Sequence, residues 1–480
     1  MMEGDELPPQ WEWSTIVEVS ETIFGQSPPS SSYNQEGNGL PFFQGKAEFG
    51  ARHPTVAKWC TEPTREAKAG DILMSVRAPV GPTNIAKEHC AIGRGLAAIR
   101  PSIDCGFVEY WFKLTEQNLA AQGTGTTFSA ITKKVLNGHP IPIAPLPEQQ
   151  RIVEKIETLF AELDKGDDAL REVQKLLARY RQSVLKAAVT GTLTADWRAA
   201  NGAPQESGKD LLARILKTRR ETWQGRGKYK ESVEPDTEGL PELPEGWVWA
   251  SLSQLTHIKG GVTVDKKREA ADPVTLPYLR VANVQNGFLD LGEIKEITVD
   301  RSKADACLLQ PMDILLNEGG DRDKLGRGWV WSGEIDPCIH QNHVYRARPV
   351  VSELSSHFVS YYANAFGQPF FMAKGTQSVN LASISLTAIS GLPIPLPPLD
   401  EQQELVAIIE EKVAQIENGL RACETELVRA KALRRSILKE AFAGKLVPHD
   451  PSDEPAEKLL ERIRAARAAA SKEKRRKAKA

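Results

Sequence analysis

Two stretches of about 40 residues, 148–188 and 401–441, hold one glycine each (Gly166 and Gly419) and no proline. In the first, Ile152, Ile156, Leu159, Leu163, Leu170, Val173, Leu177, Tyr180 and Val184 fall at alternating steps of four and three, broken at Gly166. In the second, Val406, Ile409, Val413, Ile416, Leu420, Cys423, Leu427, Ala430 and Ile437 do the same, slipping at Arg434. Such spacing held for roughly five heptads predicts a coiled-coil seam. At 1.5 Å per residue each helix would run ~60 Å, long for the core helix of one domain. Two similar long helices in one chain most simply pack on each other, antiparallel, as a backbone between two globular heads.

The helices open and close alike. Pro-Leu-Pro-Glu-Gln-Gln at 145–150 returns as Pro-Pro-Leu-Asp-Glu-Gln-Gln at 397–403, each after a Pro-Ile-Pro run at 140–142 and 393–395. Ser183 to Gly191 is echoed by Ser436 to Gly444, at an offset of 253 (401 − 148). A proline and acidic residues suit a helix start; Gly191 and Gly444 suit its end. The echo reaches further. Leu7-Pro8-Pro9-Gln10-Trp11-Glu12-Trp13 matches Leu243 to Trp249 at 236 (243 − 7), and Gly70-Asp71-Ile72-Leu73 matches Met312 to Leu315 at 242 (312 − 70). Ala98-Ile99-Arg100-Pro101 matches Arg346 to Pro349 at 248 (346 − 98). The second copy therefore gains 17 residues (253 − 236), all before its Pro-rich exit.

Residues 11–144 and 247–396 are rich in Gly, Pro and short β-branched or aromatic runs such as Ile72–Val76 and Gly328–Trp331. They read as compact, strand-rich heads. The expected fold is α+β, with an internal pseudo-twofold repeat: a first head over 1–147, a spacer helix over 148–191, and a short helix and linker over 192–242. A second head over 243–397, a second spacer helix over 398–445, and a short helix with a basic tail over 446–480 complete it. The short helices are marked by Asp210 to Leu216 and its echo, Lys458 to Arg464.

The charge is nearly balanced, with 61 basic and 63 acidic residues, so any nucleic-acid contact must come from a local basic face. Six scattered cysteines without a Cys-x-x-Cys pair read as reduced thiols. No secretory signal and no run of about 18 apolar residues is visible, which predicts a soluble, cytoplasmic chain. Chemistry is sparse. There is no phosphate loop, no Asn-Pro-Pro-Tyr or Asp-Pro-Pro-Tyr methyltransferase motif and no His-Glu-x-x-His. Glu293-Ile294-Lys295 is a chance match to a nuclease triplet, and His340 and His343 lack ligand companions and read as strand or turn residues. The chain is expected to catalyse nothing and to bind no metal.

The phrases Gly70 to Gly81, Gly93 to Arg100, Leu276 to Val284 and both Pro-Ile-Pro…Glu-Gln-Gln entries resemble the specificity subunit of type I restriction–modification enzymes, over roughly residues 7–445. The resemblance implies two target-recognition domains reading the two parts of a split DNA site, separated by the helices. It implies two methyltransferase subunits docked on the helical regions, and translocase–nuclease subunits recruited to that core. S-adenosylmethionine, ATP and Mg²⁺ would all bind those partners and none would bind this chain. The alternative is a two-headed scaffold that binds protein.

Arg pairs with guanine, and Asn or Gln with adenine, through bidentate major-groove contacts. Candidate contacts in the first head are Gln44, Lys46, Arg77, Asn84 and Arg94, with Thr126, Thr127, Lys133 and Lys134 placed for phosphates. In the second head they are Arg280, Asn283, Gln285, Arg322, Lys324, Arg327 and Lys374, together with Gln341 and Asn342, aligned with Arg94 and Gly95. Since the 17 extra residues fall in a head, the two half-sites should differ in sequence.

Overall fold

The computed structural model describes residues 7–124, 129–223, 228–263, 270–320, 324–377 and 382–477. The chain forms two compact units, Met1–Arg171 with Cys423–Ala480, and Glu172–Ala422. The units cut across the linear segments. Each combines a head with half of each long helix and with the short helix that follows the other head's spacer.

In the first head, β1 (Glu12–Thr15) leads to β2 (Ser20–Phe24), β3 (Leu40–Phe43), β4 (Ile72–Ser75), β5 (Thr83–Ile85), β6 (Cys90–Ile92) and β7 (Leu96–Pro101). α1 (Cys105–Ala121), α2 (Lys133–Asn137) and β8 (Pro140–Ile143) follow. The central sheet is antiparallel in the order β2–β7–β4–β5. β3 and β6 form a parallel pair, Phe42 opposite Ala91 and Phe43 opposite Ile92. Apolar residues of β4 and β7 (Ile72, Met74, Ala97, Ile99) face α1 and pack with Phe107, Trp111 and Phe112.

The chain then runs through α3 (Leu146–Val189), α4 (Ala195–Asn201) and α5 (Gly208–Glu221). The second head repeats the first: β9 (Val248–Ser251), β10 (Thr256–Gly260), β11 (Pro273–Leu279), β12 (Lys295–Asp300), β13 (Ile314–Asn317), β14 (Gly328–Val330), β15 (Ile339–His340) and β16 (Val344–Pro349). α6 (Ser356–Lys374), α7 (Leu386–Ser390), β17 (Pro393–Leu396), α8 (Leu399–Phe442) and α9 (Ala456–Lys477) close the chain. The sheet order β10–β16–β13–β14 matches that of the first head, and β11 pairs in parallel with β15. The first strand of each head pairs with the last, Glu12 with Ile143 and Val248 with Leu396. A head is thus closed on itself immediately before its long helix begins.

Both long helices span 44 residues. Gly191 and Gly444 follow them at φ +68° and +67°, the left-handed region in which a side chain would be strained. A Cβ on Gly191 would also meet Pro244, and one on Gly444 would meet Pro8, the matching prolines of the two head entries. In the first unit Arg434 pairs with Asp164 at 2.5 Å and Asp167 at 3.2 Å. In the second, Leu177 lies against Gly419. As one number rises the other falls. Ile409, Val413, Ile416 and Cys423 of α8 are buried, but Val173 and Tyr180 of α3 are 43% and 47% exposed. A seven-residue repeat drifts about 20° per heptad on a straight helix. The predicted seam therefore rotates outward beyond Gly166, and Leu177 keeps the contact.

α4 was not anticipated from the sequence. The basic C-terminal run is helical as far as Lys477. Among the described residues no helix is long and apolar enough to cross a membrane, and no group of His, Cys, Asp and Glu is arranged to hold a metal.

Candidate nucleic-acid interface

The Glu-Gln-Gln phrase fastens each head to its helix. Glu148 and Glu401 are both buried, and each accepts the indole N–H of its head's entry tryptophan, Trp11 at 3.2 Å and Trp247 at 2.8 Å. Gln149 donates to the Ala144 carbonyl and accepts from the Asp104 amide. Gln402 donates to the Pro397 carbonyl and accepts from the Ser355 amide. Asp104 and Ser355 are the N-caps of α1 and α6. One amide side chain therefore ties the last strand's exit to the start of the head's own helix. A buried carboxylate needs such donors, because without them its desolvation cost is large.

The basic partners differ. Glu401 takes the Arg198 guanidinium and the Thr194 hydroxyl (2.6 Å). For Glu148 the basic partner is His449, whose Nδ1 lies 2.8 Å from Oε1 without hydrogen-bond alignment. Burial pushes the Glu148 carboxyl up, opposed by His449, the Trp11 N–H and Arg151. A second shared anchor is the Asp of the Gly-Asp-Ile-Leu phrase. Buried Asp71 receives a two-pronged guanidinium from Arg100 at 2.8 and 2.6 Å, and buried Asp313 the same from Arg348 at 2.7 and 2.7 Å. Sequence reasoning missed both anchors, although the paired repeats of Trp, Glu, Asp and Arg carried the signal.

The opposite end of the same central strands carries a loop edge on each head. In the first, the Phe43 carbonyl accepts the Gly93 amide, and the Gly95 carbonyl accepts the Val76 amide. A Cβ on Gly95 would run into the Gln44 carbonyl, so only glycine allows this close approach, and one on Gly93 would be tight against Gln44. Gln44, Arg94 and Arg77 therefore gather at one edge. Arg77 bridges to Ala130, just ahead of Lys133 and Lys134 on α2. Lys46, Arg77, Arg94, Lys133 and Lys134 are exposed; Lys46 acts on the Glu116 carboxylate, and the other four have no carboxylate partner among the described residues. Four unpaired cations around one edge create a local positive field in a chain of near-zero net charge.

In the second head the Leu279 carbonyl accepts the Gln341 amide, and the His343 carbonyl accepts the Glu318 amide. The hydrogen bonds therefore place Gln341 with Gly93 and Asn342 with Arg94, one residue away from the alignment expected from sequence. They also place Arg280 with Gln44. Arg280 donates to the Glu293 carbonyl and lies 3.6 Å from the Glu293 carboxylate. Arg327 donates to the Val281 carbonyl, and its amide bonds the Lys324 carbonyl, so Lys324 lies on the same edge. Gln285 turns back onto the Ala282 carbonyl.

Two candidates leave the set. Asn84 is buried and its amide group closes onto both Gly50 backbone groups. Asn283 is buried and bonds the Arg280 amide and the Asp290 and Glu293 carbonyls. Both amides are taken up in shaping loops. Lys374 lies at the end of α6, 3.9 Å from Asp236 of the linker. Thr126, Thr127 and Arg322 lie outside the described residues. His340 is a buried strand residue held low, at about 4, by burial, with Nδ1 donating to the Val344 carbonyl. His343 pairs with Glu318 at 2.6 Å. Glu293 and Lys295 form an exposed pair at 3.5 Å.

A family profile described as "Type I restriction modification DNA specificity domain" matches residues 8–170 and 244–422, both heads with the first half of the helix that leaves each. The EcoKI specificity subunit of Escherichia coli (strain K12) is 27% identical over 408 residues, 80% of this chain and 77% of that protein. The StySPI specificity subunit of Salmonella potsdam is 26% identical over 394 residues, 79% of this chain and 76% of that protein. A protein of Methanocaldococcus jannaschii named as the MjaX specificity subunit is 38% identical over 196 residues, so this chain spans 44% of that relative's length. The crystal structure of the HsdS subunit from Thermoanaerobacter tengcongensis shares the fold, with a TM-score of 0.52 at 19% identity over 93% of this chain and 100% of that one. The chain belongs to the type I restriction–modification DNA specificity family, as a non-catalytic specificity subunit.

Proposed function

We propose that this chain reads a bipartite, asymmetric site on double-stranded DNA, one part with each head, and positions two methyltransferase subunits and the translocase–nuclease subunits on it. The observation that carries this reading is a matched pair of loop edges with different residues on them. Gln44 and Arg94 stand where the second head has Arg280 and Asn342. One scaffold with exchanged donors and acceptors at equivalent points suits two different base sequences.

The two 44-residue helices, ~66 Å each at 1.5 Å per residue, serve in this reading as an antiparallel coiled-coil spacer that fixes the unread gap. The opposed numbering of their contacts supports it. S-adenosylmethionine, ATP and Mg²⁺ belong to the partner subunits. The test is methylation-sensitive sequencing of a host that makes this chain with its methyltransferase. A split, asymmetric methylated sequence is expected, and a continuous one would refute the reading. Four residues inserted after Gly166 should alter the gap while leaving both half-sites unchanged; an unaltered gap would remove the spacer from the account.

A further inference from the structure

The two units differ where each long helix ends. In the first, the Phe442 ring is fully buried, its centroid 4.9 Å from that of Phe107 and 5.0 Å from that of Trp111. The repeat puts Val189 at the matching place in the second unit (442 − 189 = 253). The N-caps Asp104 and Ser355 likewise match Trp111 with Tyr362. Both replacements are smaller, and a cavity of about 410 Å³ opens there, walled by Val189, Trp249, Tyr362, Phe366 and Phe370. Tyr362 is 5% exposed and its hydroxyl has no partner among the described residues. The Trp249 indole N–H is already bound to the Pro241 carbonyl.

The outer wall is the linker, which contributes Asp236 and Glu238 against one lining cation, Lys186. Between 231 and 245 the linker carries Glu231, Glu234, Asp236, Glu238, Glu242 and Glu245 and no basic residue. Glu231 pairs with Arg220, and Asp236 lies 3.9 Å from Lys374. Glu234, Glu238, Glu242 and Glu245 are exposed, with no cation partner among the described residues. Such a rim repels phosphate and attracts bases. It is unlike the loop edges, where the unpaired charges of the first head are positive.

We propose that this cavity is a docking site for a basic segment of a partner protein carrying one aromatic side chain. The aromatic ring takes in the second unit the place that Phe442 fills in the first. The volume lies in the range that encloses a small ligand or one large side chain, and buried aromatic anchors surrounded by charge-complementary contacts dominate many protein interfaces.

The test uses the full chain and a fluorescein-labelled nine-residue peptide, one tryptophan flanked on each side by four lysines, followed by anisotropy. Saturable binding is expected. It should weaken at least tenfold when alanine replaces the peptide's tryptophan, and by a similar factor in the Val189→Phe variant, which restores the ring found in the first unit. The double variant Glu238→Lys with Glu242→Lys, at exposed positions that leave the core intact, should also lose binding. No binding by the unaltered chain, equal binding by Val189→Phe, or equal binding of the alanine peptide would overturn the proposal. So would a labelled 15-nucleotide single strand whose binding Val189→Phe abolishes, which would assign the cavity to nucleic acid.

Discussion

The two points where a head joins its helix use one plan with two different basic residues. Around Glu401, Arg198 adds a permanently charged fork, and its second arm bonds the Gly191 carbonyl at 2.6 Å, so one side chain stabilises both the carboxylate and the helix end. Around Glu148, His449 offers a single imidazole nitrogen, and Arg151 is drawn to Asp453 at 2.7 Å instead. The second junction is held within its own unit by α4, inserted after α3. The first is held by the segment after α8, where the Gln10 carbonyl accepts the Ala456 amide and the Gln10 side chain donates to the Pro451 and Asp453 carbonyls. A buried carboxylate is the fixed requirement, and the chain meets it with whichever basic residue the local segment supplies.

Removing one partner of a buried pair strands the other charge, so the largest effect should come from Arg198→Ala, a loss of about 3–5 kcal/mol. His449→Ala should cost less, about 1–2 kcal/mol, since that contact lacks hydrogen-bond alignment. Thermal unfolding of the two variants side by side checks the order, and equal losses would erase the distinction between the junctions.

Acid should affect the two units alike. His139, packed between Trp111 and Phe112, and His340 are each held down to about 4 by burial. A depressed histidine adds stability in full above its unfolded value near 6.5, and that stability is lost as pH falls through the folded value. The expected loss between pH 6.5 and 4 is on the order of 3 kcal/mol for each site. Denaturant unfolding across this range should show the slope, flattened by about half in His139→Gln or His340→Gln; a flat profile in the unaltered chain would refute it.

Phe442→Val gives the first unit the residue that the second has. It should destabilise by about 2 kcal/mol through the cavity it leaves. A neutral result in thermal unfolding would mean that the first unit collapses around the gap.

The repeat, the helix starts and ends, and the strand-rich heads were all legible because they rest on local signals: proline and glycine punctuation, and periods of two and of about 3.5 residues. The partners of Glu148 and Glu401 were not, because Trp11 and His449 lie 137 and 301 residues away in sequence (148 − 11 and 449 − 148). Asn84 and Asn283 looked like base readers for the same reason. An amide that recognises a base also fits a backbone loop, and only burial and partners tell the two uses apart. The one-residue slip at Gln341 arose where the heads differ in length. There the hydrogen bonds to the Phe43 and Leu279 carbonyls, rather than residue identity, define equivalence.

The loop edges repeat the lesson of the junctions, with one backbone frame and different side chains at matched places. Arg94 of the first head and Asn342 of the second sit at the same point of that frame. The most direct measurement is therefore methylation-sensitive sequencing of hosts carrying the methyltransferase with either Arg94→Ala or Asn342→Ala. Each substitution is expected to relax or abolish recognition in one half-site only, and a different half-site in each case. Recognition left unchanged in both variants, or altered in the same half-site by both, would contradict the assignment of one half-site to each head.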